Sequence, residues 1–125
     1  METDSTLPSH SHIDLSNLQE LTGGDRNLVI KYINIFITTS RVQLATIQAA
    51  LAKADGDMLF GALHTLKPQL EIMGIKKAFQ QTEIVLLKLR EKREVGEVEI
   101  LAANFIANEI TLAYRELESF ENTGD

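Results

Sequence analysis

Over residues 26 to about 54 the chain runs without a proline or a glycine, and apolar residues return every three or four positions. Val29, Ile33, Phe36, Ile37, Leu44, Ile47 and Leu51 form one stripe along a helix with that repeat. Nowhere does the chain alternate polar and apolar residues as a half-buried strand does. Between Leu28 and Ile37 only Lys31 and Asn34 interrupt the apolar character. A helix apolar on two sides is covered on two sides, and the short helix expected before it is the natural cover. An exposed docking patch or a dimer contact at this end is the alternative.

The remaining segments follow the same rule. Residues 14–21 read as a short helix with Leu15, Leu18 and Leu21 on one side, closed by Thr22-Gly23-Gly24-Asp25. Glycine supplies the left-handed conformation that ends a helix, and Asp25 is a good N-cap for the next. Asp55-Gly56-Asp57 marks another turn, with Asp57 as the expected N-cap. A helix then runs to Met73, where Gly74 breaks it. The next, residues 75 to about 90, buries Ile75, Ala78, Phe79, Thr82, Val85, Leu86 and Leu89. Charged residues 91–96 form a solvated loop. The last helix, 97 to about 120, carries the stripe Val98, Leu101, Phe105, Ile106, Ile110, Ala113, Leu117 and Phe120. The expected fold is all-α: an antiparallel up-down four-helix bundle with a short additional N-terminal helix. Residues 1–12 read as a flexible tail, 13–121 as the bundle and 122–125 as a frayed end. Two histidines in the tail run Ser9-His10-Ser11-His12 are taken as tail residues rather than metal ligands.

The chain's 125 residues suit one domain with one core, and 44% hydrophobic with 24% charged residues is a globular composition. A net charge of −6 lacks the basic footprint that phosphate backbones demand, so no nucleic acid is expected as partner. No apolar run is long enough to span a bilayer, and residues 1–11 lack the charged and apolar regions of a secretory signal. With no cysteine, disulfide, thiol and cysteine–zinc chemistry are excluded. No membrane partner and a cytoplasmic location are expected, as is a stand-alone chain.

One histidine stands out. Leu59, Leu63, Leu66, Leu70 and Met73 line one face of the third helix, and His64 lies about 100° round from Leu63, away from that face. Phe60, Lys67, Pro68 and Glu71 share its side. An imidazole on a rigid helix, with a lysine one turn away, is a candidate nucleophile. Position 68 is proline, so no second ligand at i+4 completes a zinc pair. Pro68 donates no hydrogen bond and its ring presses on the carbonyl of His64, which argues for a face open to water or, equally, for a bend that fits the helix to the bundle. No glycine-rich loop cradles a nucleotide.

The run His64-Thr65-Leu66-Lys67, with glycine ten residues after the histidine at Gly74, resembles the signature of histidine-containing phosphotransfer (HPt) domains. That pattern is His-x-Leu-Lys-Gly, closed by Leu-Gly-Ala. His64, Leu66, Lys67 and Gly74 match it, and Met73 and Ile75 are near equivalents. Leu21-Thr22-Gly23-Gly24-Asp25 and its following helix resemble the family's entry, and the likeness extends from Ile13 to Phe120. The resemblance implies a phosphorelay carrier. His64 would accept a phosphoryl group from an aspartyl phosphate on a receiver domain and pass it to a response regulator. Lys67 would stabilise the phosphate, and Phe60 and Pro68 would form apolar rims for the partner, unless Phe60 is a boundary residue tucked into the edge of the bundle. The receivers implied belong to a hybrid histidine kinase and a response regulator. No cofactor is expected on this chain, and Mg²⁺ is expected on the receiver.

Two positions depart from the pattern. Pro68 replaces the usual glycine, partly preserving clearance for a receiver. Glu71 lies one turn after Lys67, where it could pair with that lysine and would repel an incoming phosphate, so the expectation is either weaker assistance from Lys67 or a partner that sets a basic residue against Glu71. Gly61 weakens the helix by roughly 0.5–1 kcal/mol relative to alanine. The alternative function is a helical adaptor bundle that docks a receiver or another helical protein without taking phosphate. A monomer is expected, and no ATP-binding lobe fits in a chain of this length.

Overall fold

The computed structural model of the chain describes residues 12–122. Within these residues five helices follow one another: α1 Ser16–Thr22, α2 Arg26–Lys53, α3 Gly56–Ile72, α4 Lys76–Glu91 and α5 Glu97–Asn122. Among the described residues there is no strand. α2 packs on α3 and α5, and α4 packs on the same two, so the four long helices close a ring around one core. The short α1 lies against α2 and α3.

Local chemistry explains most helix ends. Gly23, with φ 66°, ends α1 in the left-handed conformation, and the Asp25 carboxylate accepts hydrogen bonds from the N–H groups of Asn27 and Leu28 at the start of α2. α1 begins at Ser16 rather than at residue 14, because Asp14 turns its carboxylate onto the Ser16 N–H and hydroxyl. Those two bonds, with the nearby Lys76 ammonium, pull the Asp14 carboxyl down to about 2. The cap of α3 differs from the expectation. Ala54 takes the left-handed conformation, with φ 52°, and Asp55 rather than Asp57 caps the helix through the Met58 N–H. Gly56 is therefore inside the first turn, where it has another purpose: a Cβ there would collide with the backbone carbonyl of Arg93.

The core contains Leu59, Leu63, Leu66, Leu70 and Met73 of the α3 region, as their spacing indicated. Three apolar expectations are corrected. Leu21 is exposed, so α1 buries Leu18, with Leu15 half-buried at its N-cap, instead of sealing a three-leucine face. Leu28, Tyr32 and Ile35 remain on the outside of α2, because the seven residues of α1 are too few to cover that side. On α5, Val98, Leu101 and Phe105 face outward, and the buried line is Ala103, Ile106, Ile110, Ala113 and Leu117. That line keeps an even helical step; the outward three were favoured only because they are large and the alanines small.

The tail expectation lies outside the described residues except at His12. There the backbone N–H donates to Glu116 Oε2 at 2.7 Å, and Nδ1 lies 3.2 Å from Oε1 of the buried Glu109. His10 and residues 123–125 lie outside the described residues.

Candidate functional site

α3 sets the site because its buried leucines fix which way every other residue points. With Leu59, Leu63, Leu66 and Leu70 inward, the 100° step of the helix turns His64, Pro68 and Glu71 to solvent, and all three are exposed. α3 continues through Pro68 without a break. Its neighbour α4 runs beside this face and contributes the side chains that bracket it.

Phe60 and His64, one turn apart, lie nearly parallel, with ring centres 5.7 Å apart and an interplanar angle of 20°. Phe60 is half-buried at the edge of the core. His64 is exposed, and its ring makes no hydrogen bond to any described residue. Lys67 leans away from this pair toward α4. Its Nζ is 3.6 Å from Glu83 Oε2 and 5.8 Å from the centre of the Phe79 ring. An open groove of about 390 Å³ follows, bordered by Lys67, Gln80, Glu83, Ile84, Leu87 and Arg90.

The Lys67–Glu71 pair that the spacing allows is not formed. Lysine preceding glutamate by four residues is the poorer order on a helix, and α4 brings Glu83 to the side on which Lys67 already lies. Among the described residues the Glu71 carboxylate has no ion pair, while its backbone carbonyl accepts from Asn17 Nδ2 at 3.3 Å. The structure thus brings Phe60 and His64 together, leaves Pro68 and Glu71 open on the same face, and draws Lys67 sideways onto Glu83.

Sequence reading did not anticipate three charged neighbours. Glu83 lies on α4, and Arg90 and Arg93 both approach the Phe60 ring, with guanidinium carbons 6.0 and 3.9 Å from its centre. Arg93 belongs to the charged segment read as a solvated loop. The available signal was Gly56, whose missing side chain admits the Arg93 backbone.

Gly61 is exposed on this face, and a Cβ there would meet nothing within 4 Å. Packing gives no reason for glycine at this position. Gly61→Ala is expected to stabilise the fold by about 0.5–1 kcal/mol, read as a rise in the thermal midpoint; an unchanged or lowered midpoint would contradict it.

No three His, Asp or Glu side chains gather to hold a metal ion among the described residues. None of the helices described is long and apolar enough to cross a membrane. Compared with known proteins, the sequence model of the Hpt domain matches residues 31–120, well over half of the chain. The chain belongs to the Hpt domain family. No curated protein and no solved structure matches it. The match runs from within α2 through α3, with His64 and Lys67, to the last turn of α5. Hpt domains are helical bundles that perform histidine phosphotransfer in phosphorelay signalling and interact with receiver domains.

Proposed function

We propose that His64 is the phosphoacceptor of this Hpt domain, taking its phosphoryl group from the aspartyl phosphate of a hybrid histidine kinase's receiver and giving it to the receiver of a response regulator. The observation that carries this reading is the exposed imidazole of His64 on α3, in a chain of the Hpt family. In the accepting step, a lone pair on one ring nitrogen attacks phosphorus, the bond to the aspartyl oxygen breaks, and the aspartate leaves as a carboxylate. The ring keeps its other N–H or gives that proton to water. Delivery is the same exchange run onto a second aspartate. Such a transfer is mostly positioning and charge stabilisation, so a carrier needs a nucleophile, a nearby cation and a surface for its partner.

Lys67, one turn along, is the cation in this reading, and the Mg²⁺ belongs to the receiver. Pro68 keeps the surface low beside the imidazole, Phe60 steadies it from below, and exposed Ile84 and Leu87 on α4 offer apolar contact for the receiver. Glu71 meets the incoming phosphate as an unpaired negative charge. Short connections between consecutive long helices and the closed ring of contacts support an antiparallel up-and-down order, with α1 as an addition. We place the protein in the cytoplasm as a monomer. The engagement of Lys67 by Glu83 favours one competing reading, an adaptor that docks receivers without accepting phosphate.

One experiment separates the two. The protein is incubated with a phosphorylated receiver and Mg²⁺, and acid-labile, base-stable phosphate is measured on it. The carrier reading expects label on the wild type and none on His64→Gln. Label retained by His64→Gln, or absent from the wild type with every receiver of the same genome, would overturn it.

A further inference from the structure

The segment between α4 and α5 does not stand away from the site. Its backbone at Arg93 rests directly on the first turn of α3, a contact possible only because residue 56 has no Cβ. From that anchor the Arg93 guanidinium carbon lies over the site's aromatic ring, 3.9 Å from the Phe60 centre, with Nη1 3.4 Å from Asp57 Oδ1. Phe60 then stacks on His64. A guanidinium, a phenyl ring and the imidazole are thus joined by successive contacts, with the cation one ring removed from the nucleophile.

We propose that Arg93 and Phe60 are positioning residues for His64: the Phe60 ring sets the plane of the imidazole, and Arg93, seated on that ring, supplies a second cation that turns to a phosphoryl group once His64 carries one. This rests on the reading of His64 as the phosphoacceptor. Three physical points support it. Stacked aromatic pairs restrict each other's rotation, and Phe60 is itself held by the edge of the core. The bond that Arg93 would give up is weak, because Asp57 is 84% exposed and surface pairs contribute little. A phosphoryl dianion offers the guanidinium two parallel hydrogen bonds and more charge than one solvated carboxylate. Lys67 meanwhile is held on the other flank by Glu83, so the Arg93 side is the one where a cation already touches the ring stacked on His64.

The test keeps the docking of a receiver out of the measurement. His64 is phosphorylated chemically with phosphoramidate, and the decay of phosphohistidine is followed by ³¹P NMR. Arg93→Gln is expected to shorten the lifetime about three- to tenfold, the scale of one partly solvated charge-assisted contact. Phe60→Leu should do the same, whereas Phe60→Tyr, which keeps the ring, should restore it. Lys92→Gln, a change to the adjacent loop cation paired with Glu94, should leave the lifetime unchanged. In the unphosphorylated protein, Phe60→Leu should move the His64 ring proton resonances by loss of the stacked ring's current, with helical content retained. If Arg93→Gln decays within twofold of the wild type, or Lys92→Gln decays as fast as Arg93→Gln, the assignment to Arg93 is wrong. Unmoved His64 resonances in Phe60→Leu would overturn the role of Phe60. Failure of receiver transfer with these lifetime differences intact would instead remove the carrier reading and leave the positioning in place.

Discussion

Gly74→Ala is expected to destabilise the protein by about 2–5 kcal/mol, adding a left-handed backbone penalty of about 1–2 to an overpacking cost of about 1–3. Gly74 has φ 65°, so any side chain there is strained. Its Cβ would also fall on the backbone of Asp14, which crosses the turn closely enough for the Asp14 N–H to donate to the Met73 carbonyl at 3.3 Å. Neither neighbour can move freely. The Ile75 N–H bonds the Leu70 carbonyl to close α3, and Lys76 Nζ holds the Asp14 carboxylate at 3.1 Å. Thermal unfolding followed by circular dichroism should show the midpoint falling by roughly 8–20 °C for a domain of this size. Two other glycines isolate the contributions. Gly23→Ala meets the same left-handed strain, with φ 66°, but nothing within 4 Å, so it should cost only the backbone part. Gly56→Ala has the clash with Arg93 without the positive φ. Equal losses at Gly23 and Gly74 would show that the Asp14 crossing contributes nothing.

That comparison also shows what a sequence of this kind discloses. Gly74 reads correctly as the break after α3, because a helix end leaves a local mark. The reason it must be glycine is the passage of Asp14, 60 positions earlier, which no local pattern records. The same division holds elsewhere. The α3 stripe from Leu59 to Leu70, the exposure of His64 and the cap at Asp25 follow from helical spacing and short-range hydrogen bonds, and each was legible. Ala54 in a left-handed conformation was not, because alanine carries no preference for it and Gly56, two residues on, does. On α5 the large residues Val98, Leu101 and Phe105 drew the stripe off the true line, since alanines mark a close helix contact as well as a leucine would. Glu83 and Arg93 were invisible for a different reason. Glu83 reaches the site only because α4 packs on α3, and Arg93 only because the loop after α4 rests on the first turn of α3, whereas a charged residue on a helix or loop ordinarily points to water.

Lys67→Ala should slow phosphoryl acceptance or shorten the phosphohistidine lifetime about ten- to hundredfold, the scale of losing one charge-assisted contact worth about 1.5–3 kcal/mol. The fold should persist, because Lys67 has its side chain 36% exposed and its ion pair with Glu83 lies at the surface. That pair makes a second, opposite expectation. At 3.6 Å, with Glu83 47% exposed, it is weak enough to be given up when a dianion forms one turn away, yet it competes for the ammonium until then. Glu83→Gln keeps the shape of the side chain and removes the competitor, so it should lengthen the phosphohistidine lifetime by about two- to fivefold, the worth of a surface ion pair. Glu71→Ser removes a charge that is not paired with Lys67, and should therefore act on acceptance through repulsion alone. The double change Lys67→Ala with Glu83→Gln decides whether the two residues act together. If Glu83 acts only by holding Lys67, its substitution has no effect once the lysine is gone; an undiminished gain would mean that Glu83 acts on the phosphate directly as a like charge.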